Sequence, residues 1–161
     1  MSLTPQQLTT LRALVQAEPT LATARQTGDD SAICAWLNEV TTTAVKPRTI
    51  VARNVLGELG LAGATMLEKI ENFGLVPRIG DDLEPLRIAT KWGMRMLQGD
   101  GLDIGNATTR GLLAGLAQAG IITADERDAA LAMALQPATR AEAALPNWSG
   151  MVSSDDASSM R

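Results

Sequence analysis

The hydrophobic and polar positions of the chain follow a helical period almost from its first residue. In "LTPQQLTTLRALVQA", residues 3–17, the apolar residues recur at helical spacing and polar residues fill the intervals. Thr4 and Gln7 have the spacing of a capping box, and Pro5 suits the first position of a helix. The pattern therefore predicts a helix that begins at Pro5 and ends near Ala17.

Amphipathic segments of the same kind, each bounded by capping residues or glycines, continue along the chain. The predicted helix ends are marked by Gly28, Gly60, Gly74 and Gly120. The predicted N-terminal caps are Asp30 or Ser31, Asp81 or Asp82, Asn106, and Thr123 with Glu126. One helix is predicted through Leu135, and Pro137 is predicted to begin a last short helix that reaches Leu145. No alternating run of β-branched or aromatic residues predicts a strand. The expected fold class is all-α, a compact bundle of about eight or nine short helices.

Two segments interrupt the helical pattern and predict the domain organisation. "TTTAVKP", residues 41–47, is poor in helix formers and ends at a proline, which predicts an extended connector. It separates an N-terminal helical subdomain, residues 1–40, from a main helical domain, residues 48–148. The final segment "SGMVSSDDASSMR" has little apolar surface, and this predicts a flexible, disordered C-terminal tail over residues 149–161.

Composition and charge narrow the possible functions. The chain has 161 residues and a formal net charge of −4, which opposes attraction to a nucleic-acid backbone. It contains no histidine, the commonest general base and metal ligand. The single cysteine, Cys34, excludes an intrachain disulfide and is expected to be a small buried side chain, with a reactive thiol as the alternative. No catalytic residue, metal site or cofactor is therefore expected. Polar residues interrupt the first apolar segment, so neither a signal peptide nor a membrane span is expected.

Three motifs resemble ligand-binding sequences but lack part of each pattern. "GELGLAG" spaces Gly57, Gly60 and Gly63 evenly but lacks the Lys-Ser/Thr of a phosphate-binding loop, so a tight helix-to-helix turn is predicted. "GDGLDIG" carries Asp100 and Asp103 but lacks the ligand spacing and terminal Glu of a calcium loop. "GLLAGLAQAGIITADERDAAL" has the outline of a helix-turn-helix, yet its second helix would begin with acidic residues that repel phosphates. Binding of nucleic acid is therefore not expected.

The clearest candidate for a binding surface lies in the helix predicted over residues 83–98. Arg87, Lys91 and Arg95 recur every four residues, which predicts a basic stripe along one face. The neighbouring face is apolar and consists of Ile88, Trp92 and Met96. One interpretation is a solvated basic face near the negative end of the helix dipole; the other is contact with an acidic partner, either a protein subunit or nucleic acid in a lumen. On the second interpretation Arg87, Lys91, Arg95 and Trp92 bind the partner. If the Trp92 ring lies in the core, Trp92→Ala is expected to cost about 3–5 kcal/mol.

Two segments resemble a group of small all-helical proteins encoded by tailed bacteriophages and prophages. Residues 3–38 have the Leu-Thr-Pro helix entrance of the group, its Pro-Xaa-Leu-Ala turn, and an acidic pair before an "AICAWLN" helix. Residues 119–142, "AGIITADERDAALAMALQPATRAE", are similar to the C-terminal part of the group. The middle of the chain, "TIVARNVLGELGLAGATMLEKIENF", lacks the Trp-Arg element that many members carry.

The resemblance implies a phage product made in the cytoplasm of the bacterial host, with the virion as a further location. Its partners would be other phage structural subunits, and a homo-oligomer is left open. The resemblance transfers no catalytic residue. We therefore expect a noncatalytic virion component or assembly helper that acts through protein-protein contacts, as a minor head, connector or tail part. The alternative is a phage regulator that binds DNA or a host protein, which salt-dependent binding to duplex DNA would reveal.

Overall fold

The computed structural model describes residues 3–145 and 148–161 of the chain, so residues 146 and 147 of the predicted main domain lie outside the description. The described residues are mostly helical, with short strands. The α-helices are α1 (Pro5–Ala17), α2 (Ala22–Thr27), α3 (Asp30–Asn38), α4 (Ala52–Leu75), α5 (Glu84–Gln98), α6 (Ala107–Gln118), α7 (Ala124–Ala132), α8 (Arg140–Ala144) and α9 (Ser154–Ser158). The strands are β1 (Val40–Val45), β2 (Thr49–Ile50), β3 (Leu102–Asp103) and β4 (Leu135–Thr139). A 3₁₀ turn, Pro19–Leu21, leads directly into α2.

The chain forms two compact units, and the first contains both of its ends. We call the described part of residues 1–44 and 136–161 the terminal unit, and residues 45–135 the central unit. The predicted connector, residues 41–47, contains the first crossing between the units. The second crossing, after Leu135, has no counterpart in the predicted domains, because the C-terminal segment returns to the same unit as the N-terminal helices.

Local capping chemistry begins several helices where the sequence predicts. The Thr4 hydroxyl accepts from the Gln7 amide at 3.3 Å, and the Gln7 side chain accepts from the Thr4 amide at 2.9 Å, so the predicted capping box of α1 is confirmed. The box of Thr123 and Glu126 at the start of α7 is confirmed in the same way. Helix α3 is capped slightly earlier than predicted, by Asp29. Helix α5 has no side-chain cap, so the predicted aspartate cap is wrong there.

Helix α4 contains a sharp break at Gly60. The φ angle of this residue is 57° and its ψ angle is −135°, a conformation that a residue with a Cβ atom rarely adopts. A Cβ atom on Gly63 would lie 2.8 Å from the carbonyl oxygen of Val55, so the backbone folds back closely after the break. The "GELGLAG" motif is therefore a tight turn between two helical segments, as predicted.

The strands correct the prediction of a purely all-α fold. Strand β1 pairs with β4, and β2 pairs with β3. The β2–β3 pair is antiparallel, with Thr49 opposite Asp103 and Ile50 opposite Leu102. The β1 sequence "VTTTAV" consists almost entirely of β-branched residues, which favour extended backbone over helix. The sequence predicted this extended segment but not its partner, because a strand pairing between distant segments leaves no local signal in a single chain.

The partner strand replaces the last part of the predicted helices. Helix α7 ends at Ala132, so the helix predicted through Leu135 is wrong in its final turn. Residues on both sides of Pro137 are extended in β4, and the last short helix begins only at Arg140. Thr139 caps that helix, since its hydroxyl accepts from the amide of Glu142 at 3.1 Å.

The C-terminal segment corrects the prediction of a flexible tail over residues 149–161. It contains helix α9, and the side chains of Val152, Ala157 and Met160 are no more than 3% exposed. The Asn38 side chain donates to the Val152 carbonyl oxygen at 2.9 Å and accepts from the Val152 amide at 2.8 Å. The segment has too few apolar residues to fold alone, but these residues cover an apolar surface of the N-terminal helices.

Each unit has its own hydrophobic core. The core of the terminal unit includes Leu11, Val15, Ile33, Leu37, Ala157 and Met160. The core of the central unit includes Val55, Met66, Ile70, Phe73, Met94, Leu97, Leu113 and Leu116. Over the described ranges, every helix is too short or too polar to cross a membrane.

The burial of the C-terminal segment predicts different effects for two methionines in it. Met160 is fully buried, so we expect Met160→Ala to lower the free energy of unfolding by about 2–5 kcal/mol. Met151 is 76% exposed, so Met151→Ala is the matched control and is expected to change that energy by no more than about 0.5 kcal/mol. Urea unfolding followed by tryptophan fluorescence measures both. Equal, small effects would show that the segment is not packed.

Candidate partner-binding surface

Helix α5 has a buried face and an exposed apolar face on nearly opposite sides. The buried face packs into the central unit and includes Thr90, Met94 and Leu97. The exposed face consists of Ile88, Trp92 and Met96, whose exposed fractions are 45%, 56% and 51%. Because each step of four residues advances about 40° around an α-helix, these three residues lie within about 80° of one another, on the side that faces away from the core. We call them the α5 stripe. The sequence predicts this apolar face but does not decide whether Trp92 is buried.

Close backbone contacts hold α5 against its neighbours in the central unit. A Cβ atom on Gly74, near the end of α4, would lie 3.3 Å from the backbone nitrogen of Lys91. A Cβ atom on Gly115, in α6, would lie 3.1 Å from a methyl carbon of Leu86. Both distances are shorter than an ordinary contact of about 3.5–4.0 Å, so α4 and α6 approach α5 closely at these two glycines. The α5 stripe is therefore carried by a helix that is packed closely on its other side.

Arg87 lies at the interior side of α5 and not in an exposed basic stripe. Its Nε and Nη2 donate to the two carboxylate oxygens of Glu84 at 2.9 and 2.6 Å. Its Nη1 donates to the carbonyl oxygens of Gly74 and Val76 at 3.3 and 3.0 Å. These carbonyls lie at the end of α4, where the carbonyl oxygens of a helix have no partner within it. Arg87 therefore joins the end of α4 to the start of α5.

The four-residue spacing explains why Arg87 is buried while Lys91 and Arg95 are exposed. Each step of four residues advances about 40° around a helix, so the row drifts from the core side at Arg87 toward solvent at Arg95. Lys91 and Arg95 are exposed, and within the described ranges their side chains form no hydrogen bond or ion pair. The guanidinium carbon of Arg95 lies 4.9 Å from the centroid of the Trp92 ring, a cation-π contact. Lys91 and Arg95 thus form a basic edge along the α5 stripe.

A shallow groove of about 150 Å³ lies between α4 and α5 on the side of this basic edge. Its lining includes Glu71, Leu75, Lys91, Arg95 and Gln98. Leu75 is 65% exposed, so the groove adds apolar surface beyond the two cations. Leu75 is not predicted from the sequence as part of this surface. The only signal was its place after the predicted end of a helix, and such a position does not by itself indicate exposure.

The groups that resembled chemical sites have structural partners instead. The Asp103 carboxylate accepts from the amides of Arg48 and Gly105, each at 2.9 Å, and so joins backbone segments. The Cys34 thiol donates to the Val152 carbonyl oxygen at 3.4 Å, and burial raises its pKa. A raised pKa disfavours the thiolate that nucleophilic chemistry requires. In the part of the chain that the structure describes, no three acidic or cysteine side chains are placed to hold a metal ion.

Comparisons with protein-family models, with curated proteins and with solved structures found no match. The fold and the surface define a mostly helical chain of two units, in which one packed helix presents apolar side chains beside two cations.

The contact between Arg87 and Glu84 predicts a pH dependence of stability. The Arg87 guanidinium lowers the pKa of Glu84 from 4.5 to about 2. Since the folded-state pKa is lowered, the stabilisation is fully present above pH 4.5 and is lost as the pH falls toward 2. We expect Arg87→Gln to lower the free energy of unfolding at neutral pH and to make it less dependent on pH in that acid range. Urea unfolding at several pH values measures both effects.

The matched control for this experiment is Lys91→Gln, which removes an exposed cation from the same helix. It is expected to leave both the stability and its acid dependence close to those of the wild type. If Arg87→Gln kept the wild-type profile, Arg87 would not join α4 to α5 in solution.

The exposure of Trp92 predicts that its ring contributes little to folding. We expect Trp92→Ala to change the free energy of unfolding by no more than about 1 kcal/mol, chiefly through loss of the cation-π contact. Trp148 is 9% exposed, and Trp148→Ala is expected to cost about 3–5 kcal/mol. Denaturant unfolding followed by circular dichroism compares the two. A large loss of stability in Trp92→Ala would place that ring in a core.

Proposed function

We propose that this protein is a noncatalytic subunit of a tailed bacteriophage or prophage, either a virion component or an assembly helper, that acts by packing the α5 stripe against another protein. The single observation that carries the proposal is the line of exposed Ile88, Trp92 and Met96 on a helix whose opposite face is already buried. These residues are not part of the core of their own unit. Removal of their apolar surface from water can therefore drive association with a partner.

The chemistry of the stripe suits a protein interface. Tryptophan and arginine are the residues that most often dominate the binding energy of interfaces, and here Trp92 and Arg95 lie in contact. Methionine adapts its shape to a partner surface because its side chain is unbranched and flexible. The centre of such a surface excludes water when the partner packs on it, which is the condition under which an aromatic anchor contributes most.

The phage assignment rests on the sequence resemblance of residues 3–38 and 119–142. It supports a place among the minor head, connector or tail parts, or among their assembly helpers, with the host cytoplasm as the site of assembly. A regulator that binds DNA is supported less, because the exposed centre of the α5 stripe is uncharged and phosphate groups need cations. The basic edge supplies only two, Lys91 and Arg95, on a chain with a net charge of −4.

The proposal predicts that apolar truncation of the stripe prevents assembly without unfolding the chain. The variant Trp92→Ala/Met96→Ala is expected to reduce the copies of this protein in purified particles, or in complexes with particle subunits, by at least about tenfold. Quantitative mass spectrometry of the purified particles measures the copy number. Arg87 is kept in every variant, because its replacement would disturb the fold as well as the surface.

The matched control is Leu56→Ala/Leu61→Ala, which truncates two exposed leucines of α4 in the same unit, at 46% and 84% exposure. This control is expected to assemble like the wild type. Normal incorporation of the stripe variant would refute the proposal, and so would absence of the wild-type chain from particles and from all complexes with particle subunits. Salt-dependent binding of the wild type to duplex DNA would instead favour the regulator.

A further inference from the structure

The basic edge of the α5 stripe carries more positive charge than its groove balances. Lys91 and Arg95 share their groove with one carboxylate, that of Glu71, and this carboxylate accepts from the side-chain amide of Gln98 at 3.1 Å. Glu84, the acidic residue of α5 itself, is occupied by Arg87. Two cations against one carboxylate leave this edge net positive beside an apolar surface. This favours a partner that brings carboxylates to the rim of the contact, since complementary charge directs association and sets its orientation.

The spacing of these cations matches the spacing of side chains on another helix. Lys91 and Arg95 are one turn apart, about 6 Å along the axis. Two carboxylates at positions i and i+4 of a partner helix have the same separation and lie on one face. The Ile88, Trp92 and Met96 side chains form an inclined row that rises about 12 Å along the axis, and such rows pack into the grooves between side-chain rows of a second helix.

From these observations we infer that the element that binds the α5 stripe is an acidic amphipathic α-helix of a partner protein. Its apolar face covers the stripe and the neighbouring groove at Leu75, and its carboxylates, spaced one turn apart, pair with Lys91 and Arg95. The inference rests on the proposed function, because it names the partner element for the same surface. A second copy of this chain fits less well, because its α5 brings the same two cations to the contact and its one carboxylate, Glu84, is paired with Arg87. In an antiparallel pairing of two α5 helices the basic edges would lie on the same side and repel one another.

A charge-exchange experiment with synthetic helices tests the inference. The probes are two stapled amphipathic peptides with an identical leucine face, one with glutamates at i and i+4 beside that face and the other with lysines there. The staple holds both peptides helical. We expect the wild-type protein to bind the glutamate peptide at least about tenfold more tightly than the lysine peptide. Fluorescence anisotropy of labelled peptides measures both affinities at physiological salt.

Two matched protein variants separate the basic edge from general charge effects. Lys91→Glu/Arg95→Glu is expected to reverse the preference, so that the lysine peptide binds more tightly. Arg53→Glu/Arg110→Glu changes the net charge by the same amount at two other exposed positions of the central unit and is expected to keep the wild-type preference. Circular dichroism establishes that both variants remain folded.

Equal affinities of the wild type for the two peptides, reversal in the control variant as well, or no binding of either peptide would overturn the inference. So would equally tight binding of a proline-interrupted glutamate peptide, because the partner element would then not need to be a helix. The proposed function is judged separately: if Trp92→Ala/Met96→Ala abolishes assembly while Lys91→Glu/Arg95→Glu assembles normally, the stripe is the interface and only the acidic helix is refuted.

Discussion

The presentation of the α5 stripe depends on one side chain, the Arg87 guanidinium. It donates to both carboxylate oxygens of Glu84 and to the carbonyl oxygens of Gly74 and Val76. The end of α4 would otherwise leave those carbonyls without partners, and the guanidinium charge would otherwise lie in the interior without an anion. This contact links the end of one helix to the first turn of the next and so holds the start of α5 against the end of α4, while the burial of Met94 and Leu97 leaves the opposite face exposed to solvent.

Helix α5 has apolar residues on two faces, and the fold buries one of these faces and exposes the other. The face with Met94 and Leu97 completes the core of the central unit, while the face with Trp92 stays in contact with water. The glycines at 74 and 115 allow α4 and α6 to approach α5 closely on the first face. The core is therefore complete without the face that carries Trp92, and this face remains available as a surface for association.

The terminal unit illustrates a different dependence, in which distant segments complete one another. The Arg12 side chain donates to the carbonyl oxygen of Ser159 at 3.1 Å, near the end of α9, and Asn38 bonds to both backbone groups of Val152. The N-terminal helices supply an apolar surface, and the C-terminal segment supplies the few apolar side chains that cover it. Neither segment buries enough apolar surface alone to offset the loss of chain entropy. Each is therefore ordered only because it packs against the other.

The sequence by itself determined the features that depend on neighbouring residues. The capping boxes at Thr4 and Thr123, the turn at Gly60 and the bounds of α5 follow from hydrogen bonds and backbone preferences within a few positions. Tertiary structure alone decided the β1–β4 pairing, the burial of Met160 and the division of the chain into units. For the candidate site, the sequence placed Lys91, Trp92 and Arg95 near one another but could not separate them from Arg87. A row at four-residue spacing drifts around the helix, and only the position of the core decides where along that row the interior ends and the surface begins.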